Sequence, residues 1–166
     1  MRRLVYKGRW AIGVVLLVGA SVFAYLQVRD AWRAAQKNDI YATAVRHWSE
    51  HKAPRSLGRR PVYISVDGKD PDEQLMRYLR GSIPAFRKAS EWTNPPGTGV
   101  GIGVCNLTWV GCSAATVSVV DTYTWNFVAG EHYRVLRRGG RWEVSSVGHF
   151  GYEVLRDSWP RPHPPR

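Results

Sequence analysis

The sequence predicts an α+β protein in which an N-terminal transmembrane helix precedes a domain of helices and antiparallel strands. Three observations carry this. Nineteen residues without a charge, Trp10 to Val28, follow a head bearing Arg2, Arg3, Lys7 and Arg9. Apolar residues then recur at helical spacing in two short stretches. From Ala114 onward the side chains alternate as in strands, with a turn signal at Gly139-Gly140.

The uncharged run comes first. A helix rising about 1.5 Å per residue needs roughly 20 apolar residues to cross about 30 Å of hydrocarbon. Trp10–Val28 meets that length and is apolar on every side, unlike a core helix with a single buried stripe. A secretory signal peptide is the competing reading, with Val22-Phe23-Ala24 as its cleavage site and residues 1–24 removed. The permanent anchor is favoured because the apolar run continues through Tyr25, Leu26 and Val28. Trp10 and Tyr25 also fall where aromatic belts lie. Four cations in the head stand against Arg29, Arg33 and Lys37 beyond the run. Lys and Arg set orientation, so the N-terminus is expected in the cytoplasm. The expected organisation is residues 1–9 as a cytoplasmic basic head, 10–28 as the transmembrane helix in the lipid bilayer, 29–155 as an extracytoplasmic domain and 156–166 as a Pro/Arg-rich tail.

Net charge is +11 over 166 residues, but much of it sits at the two ends. Residues 10–155 hold 17 basic and 12 acidic side chains, a balance of +5. Arg134, Arg137, Arg138 and Arg141 cluster, and they read as a solvated hairpin tip. Nucleic-acid binding needs a basic face interleaved with stacking aromatics, together with access to nucleic acid. The expected orientation removes that access, so no nucleic-acid partner is expected.

Residues 29–52 are helical in character. Ile40, Ala44, Val45 and Trp48 recur at i, i+4, i+5 and i+8. The helix either runs out of the membrane unbroken or restarts at an Asn38-Asp39 cap. His47 and His51 lie one turn apart, but no further metal ligands are evident. Ala53–Arg60 is a loop, and Pro61–Val66 alternates as a strand.

Four acids follow among seven residues, Asp67-Gly68-Lys69-Asp70-Pro71-Asp72-Glu73. Their spacing fails the calcium-loop pattern. A turn at Asp67-Gly68 and a helix cap explain them better: Asp70 as cap, Pro71 in the first position, and Glu73 closing a capping box. Leu75, Met76 and Leu79 form a buried stripe, and Gly81 ends the helix.

Residues 82–99 read mostly as loop. Gly97, Gly99, Gly101 and Gly103 then alternate with Thr98, Val100 and Ile102. A dinucleotide cradle needs a different spacing and a following helix. Strict alternation instead puts the glycines on one strand face, against an aromatic from a neighbouring strand or a ligand.

Residues 117–129 alternate for longer than strands usually run, so a bend or break near Asp121-Thr122 is expected. Asp121 shares a face with Tyr123 and Trp125 there. The Gly139-Gly140 turn pairs Arg138 with Arg141, Arg137 with Trp142 and Val135 with Val144. That register puts Tyr133, Val135, Trp142 and Val144 on the core side. A last strand is expected from His149 to Leu155. Cys105 and Cys112, with six residues between them, either close a disulfide in an oxidising compartment or remain two buried thiols. Asn106-Leu107-Thr108 matches the glycosylation pattern.

Two resemblances follow. Ile64-Ser65-Val66-Asp67-Gly68-Lys69-Asp70-Pro71 ahead of a helix, with the closing Tyr133-Arg134-Val135 and Gly140-Arg141-Trp142-Glu143-Val144, resembles a group of small bacterial extracytoplasmic domains of unknown function. It spans roughly residues 60–147 and brings no activity. The terminal hairpin and element order also resemble NTF2-like folds. That resemblance implies helices packed on a curved antiparallel β-sheet around a pocket. Its membrane-anchored members are secretion-system scaffold subunits and others are enzymes.

Two functions are therefore weighed. The first, and the one expected, is a non-enzymatic, membrane-tethered accessory or protein-interaction domain with a membrane or envelope protein as partner. No cofactor, metal or catalytic set is expected in it. The second is an NTF2-like small-molecule-binding protein or enzyme. Its candidates are Asp121 as acid/base, with Glu131, His132 and His149. A carboxyl buried among aromatics has a raised pKa and can act as a general base. The simpler reading is that Asp121 marks a bulge and faces water, with His132 and His149 on polar or loop positions.

Overall fold

The computed structural model describes residues 2–51, 61–80, 86–92, 100–124 and 127–150, with the side chains of 2–13, 122–129 and 150 left aside. Several expectations lie outside these residues. They are the loop 53–60, the Gly81 helix end, Gly97 and Gly99, the side chains of Trp10, Tyr123 and Trp125, the last strand beyond Phe150 and the tail 156–166.

Helix α1 runs from Arg2 to His51 without a break, so the Asn38-Asp39 restart does not occur. The chain divides into two compact units, Met1–Lys37 and Asn38–Arg166. In the first, every described apolar side chain from Val14 to Val28 is exposed. In the second, the expected stripe is buried, with Ile40, Ala44 and Val45 at 0%. Trp48 of the same stripe is buried too, and Tyr41 joins it.

Strand β1 (Val62–Val66), helix α2 (Glu73–Arg80), strand β2 (Phe86–Lys88), and strands β3 (Val100–Trp109), β4 (Ala114–Thr124), β5 (Phe127–Arg138) and β6 (Arg141–Phe150) follow. They form one open, six-stranded sheet in the order β2-β1-β3-β4-β5-β6. The sheet is mixed, which corrects the antiparallel expectation: β1 lies parallel to both β2 and β3. Parallel neighbours need a crossover rather than a hairpin, and α2 supplies it between β1 and β2. Strand β2 and the 3₁₀ turn Ala89–Glu91 replace part of the expected loop. Three residues carry too little alternation to be read as a strand.

The long alternation at 117–129 is two strands. The chain reverses between Thr124 and Phe127, which pair with each other, and the ladder shifts register between Thr122 and Thr124. The expected irregularity therefore falls just beyond Asp121, and the reversal is further on. At Gly139-Gly140 the register is the expected one, with Arg138 opposite Arg141, Arg137 opposite Trp142 and Val135 opposite Val144. Both glycines have positive φ, 54° and 82°, which L side chains rarely adopt. Tyr133, Val135 and Trp142 are buried. Tyr63 lies opposite Gly101 on β3 and stacks on Trp92 at 5.3 Å, so an aromatic of the neighbouring strand stands beside a glycine.

Asp67-Gly68 makes the expected tight turn, with φ of 49° and 74° and paired bonds between Val66 and Lys69. The helix cap moves. Asp72 accepts the Leu75 N–H at 2.7 Å, and the Asn38 amide donates to the same carboxylate at 2.9 Å. Asp70 accepts the Ser90 N–H and hydroxyl instead. Glu73 pairs with Lys88 at 2.6 Å rather than closing a capping box. Leu75, Met76 and Leu79 are buried as expected.

Asp72→Ala should lower stability by about 1–2 kcal/mol, because it removes the cap of α2 and the acceptor for Asn38. Asp72→Asn should recover most of the loss, since its amide oxygen still accepts the Leu75 N–H. Thermal melts followed by circular dichroism check both variants.

Candidate functional site

Strand alternation and register bring four polar side chains to one region of one sheet face. Asp121 on β4 lies opposite Ile102 on β3 and Ala129 on β5. Glu131 on β5 lies opposite Val119 on β4 and His149 on β6. Tyr133 stands two residues beyond Glu131, so the two share a face. This face holds fully buried Ile102, Val104 and Val117.

Glu131 is the centre of the group. One carboxylate oxygen accepts a short hydrogen bond from the Tyr133 hydroxyl. The other lies 3.1 Å from His149 Nδ1, an arrangement in which a protonated ring nitrogen donates. The Glu131 side chain is 13% exposed and that of His149 is 69% exposed. Burial raises the Tyr133 pKa, reinforced by the hydrogen bond to Glu131 and by the charges of Glu131 and Asp121. His47 from α1 meets the Tyr133 ring edge-on at 5.4 Å. The set runs from a solvent-facing imidazole through a carboxylate to a neutral buried phenol. Such a chain can hold a proton or orient a polar ligand. It also satisfies the phenol hydroxyl, which burial would otherwise leave without an acceptor.

Of the residues the sequence singles out, Asp121, Glu131 and His149 come together. Asp121 is only 9% exposed, which corrects the reading that it faces water: the hairpin folds β5 beside it. His149 is no loop residue; it sits within the β5–β6 ladder, opposite Glu131. His132 belongs to the other face, where its Nδ1 lies 2.9 Å from Ser118 Oγ. Tyr133 escapes the sequence reading as a site residue because it reads as core. The signal for it is its i+2 spacing from Glu131.

Tyr41, His47 and His51 have structural partners. Tyr41 donates its hydroxyl to Asp67 at 3.2 Å, and burial together with that carboxylate raises its pKa. His51 stacks on His47 at 4.2 Å. Cys105 and Cys112 are free thiols, the first half-buried and the second exposed. Burial, then the Asp67 charge, raises the Cys105 pKa, which favours the thiol over the nucleophilic thiolate. Asn106 adopts φ of 57° where the β3–β4 ladder shifts register.

No family model, curated protein or solved structure matches the chain. The N-terminal helix is long and apolar enough to span a membrane or serve as a signal anchor.

Both phenols have folded-state pKa values raised above the unfolded value. Their contribution to stability is therefore intact below about pH 10 and lost as pH rises further. Unfolding measured between about pH 8 and pH 12 should show this decline. Tyr41→Phe with Tyr133→Phe should flatten it; an unchanged slope would exclude the two phenols as its source.

Proposed function

We propose that the chain is a single-pass, membrane-tethered accessory or protein-interaction domain without enzymatic activity. Its N-terminus lies in the cytoplasm, and its folded unit faces an extracytoplasmic compartment and an envelope protein partner. The sheet is curved, with α2 and the C-terminal part of α1 packed on it. One observation carries the tether: the apolar side chains from Val14 to Val28 are exposed along an unbroken helix. Burying one Leu or Val is worth about 1.5–3 kcal/mol, so a run of them favours lipid strongly over water. The polar cluster supports the non-enzymatic part, because Glu131 is already engaged on both oxygens.

The burial of Asp121 near Tyr133 favours a second reading, a small-molecule-binding protein or enzyme with Asp121 as acid/base. A thermal-shift screen against a small-molecule library separates the two. The first reading expects no compound to stabilise the chain through this face. A compound whose stabilisation disappears in Asp121→Asn would establish the second.

The tether is tested by fractionating cells that express a C-terminally tagged chain. The intact protein should resist carbonate extraction, and its tag should be digested from outside in spheroplasts. A protected tag would overturn the orientation. A shortened soluble product beginning after Ala24 would replace the anchor with a signal peptide.

A further inference from the structure

The end of the sheet opposite the β4–β5 reversal carries charge that the fold leaves unused. There the β5–β6 turn lies beside the β3–β4 loop: Ala114 pairs with Leu136, and the Arg137 N–H donates to the Ser113 carbonyl at 2.8 Å. Arg138 and Arg141 stand directly opposite each other across the turn, and Arg134 shares the face of Arg138 by alternation. All three are exposed. Like charges directly opposite each other destabilise a ladder. Glu143 is the only carboxylate in Tyr133–Phe150, and among the described residues it forms no ion pair with any of the three. The neighbouring loop 110–113 has no charge, presents Val110 at 50% exposure and carries exposed Cys112.

This end also lies beside the start of the folded part of α1. The Thr43 hydroxyl reaches the carbonyl of Trp142, next to Arg141, at 3.5 Å. Further along the same helix, His47 meets Tyr133, so the stretch from Thr43 to His47 follows the sheet away from its arginine end.

We propose that this end of the sheet docks on an anionic lipid surface. Exposed arginines beside an exposed aliphatic residue match such a surface, with cations at the headgroups and the apolar side chain at the acyl boundary. Each arginine near an anionic membrane strengthens binding by roughly fivefold. The inference rests on the tether reading, which makes this second contact intramolecular and raises its effective concentration.

Cys112 reports on the contact. The full-length Cys105→Ser chain, labelled at Cys112 with a nitrobenzoxadiazole dye, is placed in nanodiscs of phosphatidylcholine alone or with about one-third phosphatidylglycerol. A nitroxide-bearing phosphatidylcholine in both discs quenches the dye on contact. Quenching should be at least about twofold greater on the anionic discs and fall back in about 0.5 M salt. Arg138→Gln with Arg141→Gln should remove the difference. Equal quenching on both lipids in a chain that enters the discs overturns the docking proposal alone. Loss of the difference in millimolar inorganic phosphate at constant ionic strength also overturns it, in favour of a soluble anion. A chain that fails to enter either disc overturns the tether and the docking together.

Discussion

Strand β3 is bound by two different ladders, and the rest of the sheet depends on it. On one side it runs parallel to β1, which it meets from Val62 to Val66. On the other it runs antiparallel to β4. It therefore joins the β1–α2–β2 crossover to the β4–β5–β6 meander. Ile102 and Val104 on this strand are fully buried, so the ladder that couples the two halves is also shielded from water.

That sheet face is mostly apolar, and the acid at its centre is held by partners. A lone buried carboxylate is costly to desolvate. Glu131 avoids this through Tyr133 and His149, and a neutral phenol donor is the partner that burial itself favours. Asp121 adds charge to the same neighbourhood, which contributes to the raised Tyr133 pKa. The cluster is thus explained as a satisfied polar network, and the same geometry is what a ligand or proton site would require.

The basic hairpin is the contrasting case. Arg138 and Arg141 are exposed and opposed to one another, so folding alone gives no reason to place them there. Charge of this kind is directed outward to solvent, whereas the Glu131 network is directed inward to the core. Arg137 marks the boundary between the two: it lies opposite buried Trp142 and bonds the neighbouring loop through its backbone.

Local chemistry was legible in the sequence. Gly139-Gly140 determined the hairpin register, Asp67-Gly68 the tight turn, and the periodicities of 40–48 and 75–79 the buried stripes, because each depends on neighbours in the chain. Asp121, Glu131 and His149 were recognisable as candidates by residue type. Tertiary structure alone decided the parallel pairing of β1, the existence of β2, the reversal between Thr124 and Phe127, and the cap at Asp72 rather than Asp70. It also placed Tyr133 beside Glu131 in a shared network and set His132 on the opposite face. These features depend on which distant strand lies alongside, and on which of two nearby acids has another donor, here Ser90, to bind. Alternation specifies two faces of a strand, but only the assembled sheet determines which face is buried and what meets it there.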